Sequence, residues 1–102
     1  MTVKILPSGK DTPSGKLADA ELHFADGPLA GLKLVGFSVW QRQNGRGHSV
    51  TFPARQYSVN GERRSFALLR PITDEAAQRH LRDLVLEAYE DYEERAGISR
   101  AS

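Results

Sequence analysis

With 102 residues, 39% of them hydrophobic and 26% charged, the chain has the size and balance of one globular domain spanning residues 1–102. No apolar run is long enough to cross a bilayer, and the absence of cysteine excludes a disulfide framework, a thiolate nucleophile and a Cys-based metal site. The net charge of +1 hides a division: up to Ile72 ten Lys and Arg stand against five Asp and Glu, and from Thr73 onward four stand against eight.

Residues 2–6 alternate as a strand and lead into a Pro/Gly/Ser-rich stretch at 7–15 that reads as a flexible loop. The apolar stretch at the N-terminus is too short for a signal peptide, so a soluble, cytoplasmic protein is expected. A second strand is predicted at 16–25, with Ala18, Ala20, Leu22 and Phe24 on its buried face. After a turn at 26–31, a third strand at 32–41 places Val35, Phe37 and Val39 on one face and Leu34, Ser38 and Trp40 on the other. Apolar residues on both faces predict a central strand or one covered on both sides.

A polar loop at 41–47 precedes the fourth strand, which starts near Val50 and carries Pro53. Proline cannot donate to a ladder, so an edge, bulge or crossing is expected there. Asn60 and Gly61 then separate two strand-like runs, 50–57 and 62–70. This is the strongest short-range hairpin signal, because both central residues of a type I′ turn need positive φ. Thr73 reads as the N-cap of a closing helix, with Asp74 and Glu75 favourable at its positive end. Ala77, Leu81, Leu84, Val85, Ala88 and Tyr92 form its apolar stripe to about Ala96, Gly97 suits the C′ position, and the tail 98–102 is expected to fray. The predicted class is therefore α+β, an antiparallel sheet of about five strands with one C-terminal helix packed on it.

Catalytic chemistry is not visible. His23, His48 and His80 fall in separate elements with no metal-ligand spacing, no serine sits in a nucleophile elbow, and Gly45-Arg46-Gly47 has no helix behind it to receive a phosphate. No catalytic residue, metal, cofactor or small-molecule substrate is expected. The helix acids Glu87, Glu90, Asp91, Glu93 and Glu94 read as a solvated face.

The arginines give the positive signal. Arg42, Arg46, Arg55, Arg63, Arg64 and Arg70 fall within 29 residues that contain one acid, Glu62. A guanidinium fork suits phosphate better than a point charge does, and charged side chains also guard exposed strand edges, so both readings remain open. Parity along the fifth strand places Arg64 and Arg70 together with Arg63 opposite. Of the aromatic residues, Trp40 and Tyr57 are candidate stacking platforms; the others, Phe66 included, read as core.

In order along the chain, Leu34-Val35-Gly36-Phe37-Ser38-Val39, Asn44-Gly45, Val50-Thr51-Phe52-Pro53-Ala54-Arg55, Gly61-Glu62-Arg63-Arg64, Arg70-Pro71-Ile72 and a closing helix with Leu81, Val85, Leu86 and Tyr89 resemble the stage V sporulation protein G (septation-protein) family. The family pattern has two adjacent basic residues shortly after the proline, where this chain has Arg55-Gln56, so the resemblance is to a divergent member. It implies a small bacterial homodimer that binds DNA or RNA as a regulator and is not an enzyme. A second reading is a protein-interaction module that pairs through an edge strand.

Overall fold

The computed structural model describes residues 1–9, 13–42 and 47–97. Among them are six strands and one helix: β1 (Thr2–Pro7), β2 (Lys16–His23), β3 (Lys33–Gln41), β4 (His48–Thr51), β5 (Ala54–Val59), β6 (Glu62–Ala67) and α1 (Ala76–Arg95). The strands form two antiparallel sheets, a four-stranded meander β1-β2-β3-β4 and a separate β5-β6 hairpin. The α+β class holds, and the single sheet of about five strands is replaced by this division. The frayed tail expected at 98–102 and the middle of the loop expected at 7–15 lie outside the described residues.

Alternation builds the core. Pairing of Val3 with Leu22, Ile5 with Ala20, Ala20 with Phe37, and Ala18 and Val50 with Val39 puts these side chains in rows on one face of the meander. The helix lies across that face and packs against the two outer strands, β1 and β4. Its Val85 and Tyr89 are buried, with Leu81 and Tyr92 packed alongside. Phe37 meets Phe52 edge to face at 5.2 Å, and the Tyr89 ring stands against His48 at 5.1 Å. The opposite face is polar: Glu21 accepts from His23 at 2.9 Å and pairs with Lys33 at 3.4 Å, and Lys16 pairs with Asp19 at 2.7 Å. β3 is indeed central, but the helix covers only one of its faces, and Trp40 is half-buried on the other, donating Nε1–H to Thr51 Oγ1 at 2.9 Å.

One contact redirects the chain. Between Ala20↔Phe37 and Leu22↔Leu34 the register advances two residues on β2 and three on β3, so β3 carries a bulge at Val35-Gly36. Gly36 has φ 111°, and a Cβ built there would stand 3.1 Å from Pro53 Cβ and 3.3 Å from Pro53 Cα. Only glycine combines that backbone with so close a neighbour. The bulge reverses the expected parity: Leu34 packs against the core and Val35 stands 51% exposed, because one inserted residue flips every side chain before it.

Pro53 is buried over Gly36, and there the fourth run leaves the meander, so the predicted strand 50–57 becomes β4 and β5. The hairpin closes as the sequence predicts, with Asn60 at φ 52° and Gly61 at φ 81°. β6 ends at Ala67 rather than Arg70, and Leu68 N donates to Pro53 O at 3.0 Å at the hairpin root. The helix starts later than predicted. Glu75, not Thr73, is the N-cap and makes no side-chain cap hydrogen bond; Asp74 Oδ1 accepts the Ala76 amide at 2.8 Å, an Asx turn just ahead of the helix.

Two expectations follow. Gly36→Ala should lower unfolding free energy by about 1–3 kcal/mol in chemical denaturation, from the positive φ and the Pro53 contact; a neutral effect would refute the bulge. The hydrogen bond from His23, with the Lys33 ammonium, holds the Glu21 carboxyl below its ordinary pKa of 4.5. A depressed folded pKa contributes stability above the unfolded value that is lost as pH falls through the folded one. Glu21→Gln should therefore make stability fall less steeply below about pH 4.5, measured by urea unfolding across the acid range.

Candidate nucleic-acid interface

The β5-β6 hairpin is an arm. Every residue of both strands is exposed, and the hairpin's main contacts are internal. The radius of gyration, 15.0 Å, exceeds the roughly 13 Å of a compact chain of this length. Six residues per strand give the ribbon a length of about 20 Å.

Register sorts its side chains. Arg55 opposite Phe66, Tyr57 opposite Arg64 and Val59 opposite Glu62 occupy one face; Ala54 opposite Ala67, Gln56 opposite Ser65 and Ser58 opposite Arg63 occupy the other. The first face is aromatic and cationic. Arg70 joins it from beyond the strand, its Cζ 4.5 Å above the Phe66 ring, a cation–π contact worth about 0.5–1 kcal/mol at an exposed site. Arg55, Tyr57 and Phe66 line a shallow, open cleft there. Arg64 Nη2 lies 3.2 Å from Glu62 Oε2, an exposed pair of small energetic value. Arg55 and Arg70 make no ion pair among the described residues. The second face is small and polar, with Gln56 donating to Ser65 Oγ at 3.3 Å and Arg63 as its one charge.

The six arginines predicted from sequence therefore do not form one patch. Arg55 and Arg64 share a face through the hairpin register, with Arg63 on the other; Arg70, which parity along a strand to residue 70 grouped with Arg64, lies beyond the end of β6 and reaches that face through its contact with Phe66. Arg42 stands at the foot of the β3–β4 loop, its Nε donating to His48 O at 3.2 Å, and Arg46 lies outside the described residues. Of the two candidate stacking platforms, Tyr57 is on the arm at 40% exposure and Trp40 is on the meander. Phe66, read from sequence as core, is 45% exposed on the arm beside Arg55 and Arg70. Its pairing across the Asn60-Gly61 turn with Arg55 was a signal available in the sequence.

Elsewhere, a cleft of about 120 Å³ between Phe52, Leu69, Pro71 and the first turns of α1 is apolar and smaller than the roughly 300 Å³ at which ligand pockets begin. No group of three His, Asp or Glu side chains able to hold a metal occurs among the described residues. Among the described residues no helix is long and apolar enough to cross a membrane. No family model, curated protein or solved structure matches the chain.

The arm's exposure sets a stability contrast. Phe66→Ala and Tyr57→Ala should each cost less than about 1 kcal/mol, as surface substitutions do, whereas Phe37→Ala in the core should cost about 3–5 kcal/mol. Thermal unfolding of the three variants measures the difference, and an equal loss at Phe66 would place that ring in the core.

Proposed function

We propose that the protein is a non-enzymatic, nucleic-acid-binding regulator that works through the β5-β6 arm. The observation that carries this reading is the convergence of Arg55, Arg64 and Arg70 on the exposed face that also presents Tyr57 and Phe66. Guanidinium groups flanking open aromatic rings combine phosphate attraction with a surface on which bases can stack. A two-stranded ribbon is also one of the few elements slender enough to enter the DNA major groove, which is about 12 Å wide. The resemblance to the stage V sporulation protein G family supports the same reading, and on it the chain is a divergent member of that family. Arg42 and Arg63, on other surfaces, serve as secondary phosphate contacts.

Three phosphate contacts per arm give a slope of log K against log salt of roughly −2.7 on duplex DNA and roughly −2.1 on a single strand. Anisotropy titrations of labelled duplex DNA, single-stranded DNA and RNA across a salt series measure it. Arg55→Glu with Arg64→Glu should weaken binding at least tenfold and flatten the slope by about two. Tyr57→Ala or Phe66→Ala should weaken single-strand binding by about 1–3 kcal/mol, while Trp40→Phe leaves it unchanged. Unchanged affinity in the charge-reversed protein, or no binding at low salt, would defeat the proposal.

A further inference from the structure

The two exposed rings of the arm stand at diagonal positions of one ladder. Tyr57 pairs with Arg64, and Phe66 pairs with Arg55 one same-face step nearer the root, so the rings rise from neighbouring strands on the same face. Diagonal neighbours in an antiparallel pair are about 7–8 Å apart at the backbone. Among the described residues no ring-to-ring contact joins them, and the space they leave is the open cleft of about 400 Å³ that Arg55 completes.

Arg70 decides how the Phe66 ring can be used. From root to tip the arm presents Arg70, then the Arg55–Phe66 pair, then the Tyr57–Arg64 pair, then the Asn60-Gly61 turn. The Arg70 guanidinium carbon lies 4.5 Å over the Phe66 ring, and Arg70 is not among the residues that line the cleft. It therefore covers the ring from the root side and leaves open the side that faces Tyr57. A guanidinium stacked by its face keeps its in-plane N–H groups, so Arg70 can hold the ring and still donate to a phosphate.

The gap suits a flat guest. A planar ring held between two others needs about 3.5 Å on each side, which together match the diagonal spacing. Charge narrows the guest further. Arg55 stands directly across the ladder from Phe66 and Arg64 from Tyr57, and residues 54–70 contain one acid, Glu62, placed toward the tip. A slot between two aromatic rings, each with a guanidinium beside it, takes a nucleobase with its phosphates on either side. Only an unpaired base can enter. A duplex offers base edges in its grooves while its base faces are covered by their stacked neighbours, whereas a single strand can splay a base onto aromatic side chains.

We infer that the arm selects single-stranded over duplex nucleic acid by taking one unstacked base between Tyr57 and Phe66, with Arg70 positioning the Phe66 ring from behind and Arg55 and Arg64 on the flanking phosphates. The inference rests on the nucleic-acid reading and narrows it: the slender ribbon would also fit a duplex groove, but a groove leaves the slot empty.

Anisotropy titration of the full chain with three labelled oligodeoxynucleotides at one moderate salt concentration provides the test: a single strand, its duplex, and the same strand with abasic sites in place of its central bases. The abasic strand keeps every phosphate and lacks the guest. The intact strand should bind at least tenfold more tightly than the duplex, and the abasic strand about five- to hundredfold more weakly than the intact one. Tyr57→Leu and Phe66→Leu should abolish both differences while leaving duplex affinity unchanged. Arg70→Lys keeps the charge and removes the planar cover, so it should weaken the intact strand severalfold and leave the abasic strand and the salt slope as they were. Equal affinity for single strand and duplex, or an abasic strand bound as tightly as the intact one, would overturn the inference and leave the nucleic-acid reading standing on its phosphate contacts; both comparisons use the wild type and do not depend on how a variant folds. No binding of any of the three even at low salt would overturn both.

Discussion

The contact between Gly36 and Pro53 organises this molecule. A strand that continued along β3 past Thr51 would have extended the meander and covered residues 33–36. Pro53 instead sits over a bulge that only glycine permits, and the chain leaves the sheet there. One steric constraint thus divides a five-stranded pattern into a four-stranded meander and an arm. It also decides the parity of the first half of β3, so that Leu34 enters the core and Val35 does not.

The core that remains is small. Its fully buried side chains come from β2, β3 and α1, and the helix is held by Val85 and Tyr89 with half-buried neighbours around them. None of this apolar surface is spent on the arm. The arm keeps its shape through its own ladder, a turn with two residues at positive φ, and the Leu68–Pro53 hydrogen bond at its root. Such an element is held in place locally while both of its faces stay available, which is what a surface that must meet a partner requires.

Charge is arranged on the same plan. Positive charge gathers on the arm and negative charge on the outer half of α1, at opposite ends of the helix axis. On the nucleic-acid reading a polyanion meets its opposite charge at the arm and is repelled by the outer half of α1.

Much of this was legible in the chain itself. Alternation in residues 16–24 fixes which side of β2 is buried, Asn60-Gly61 fixes the hairpin and its register, and helical spacing from Leu81 to Tyr92 fixes the face of α1 that meets the sheet. The separation of Arg64 from Arg63 follows from parity alone, whereas Arg70 lies past the end of β6 and reaches the same face through Phe66. What local pattern could not supply was the consequence of a contact between residues 17 apart in sequence. Without it, Leu34 and Val35 exchange faces, the fourth and fifth runs belong to the main sheet, and Phe66 reads as core. Sequence determined the elements and their amphipathic faces, because those depend on neighbours along the chain; the tertiary structure decided which faces meet anything, because burial depends on where Pro53 sends the chain.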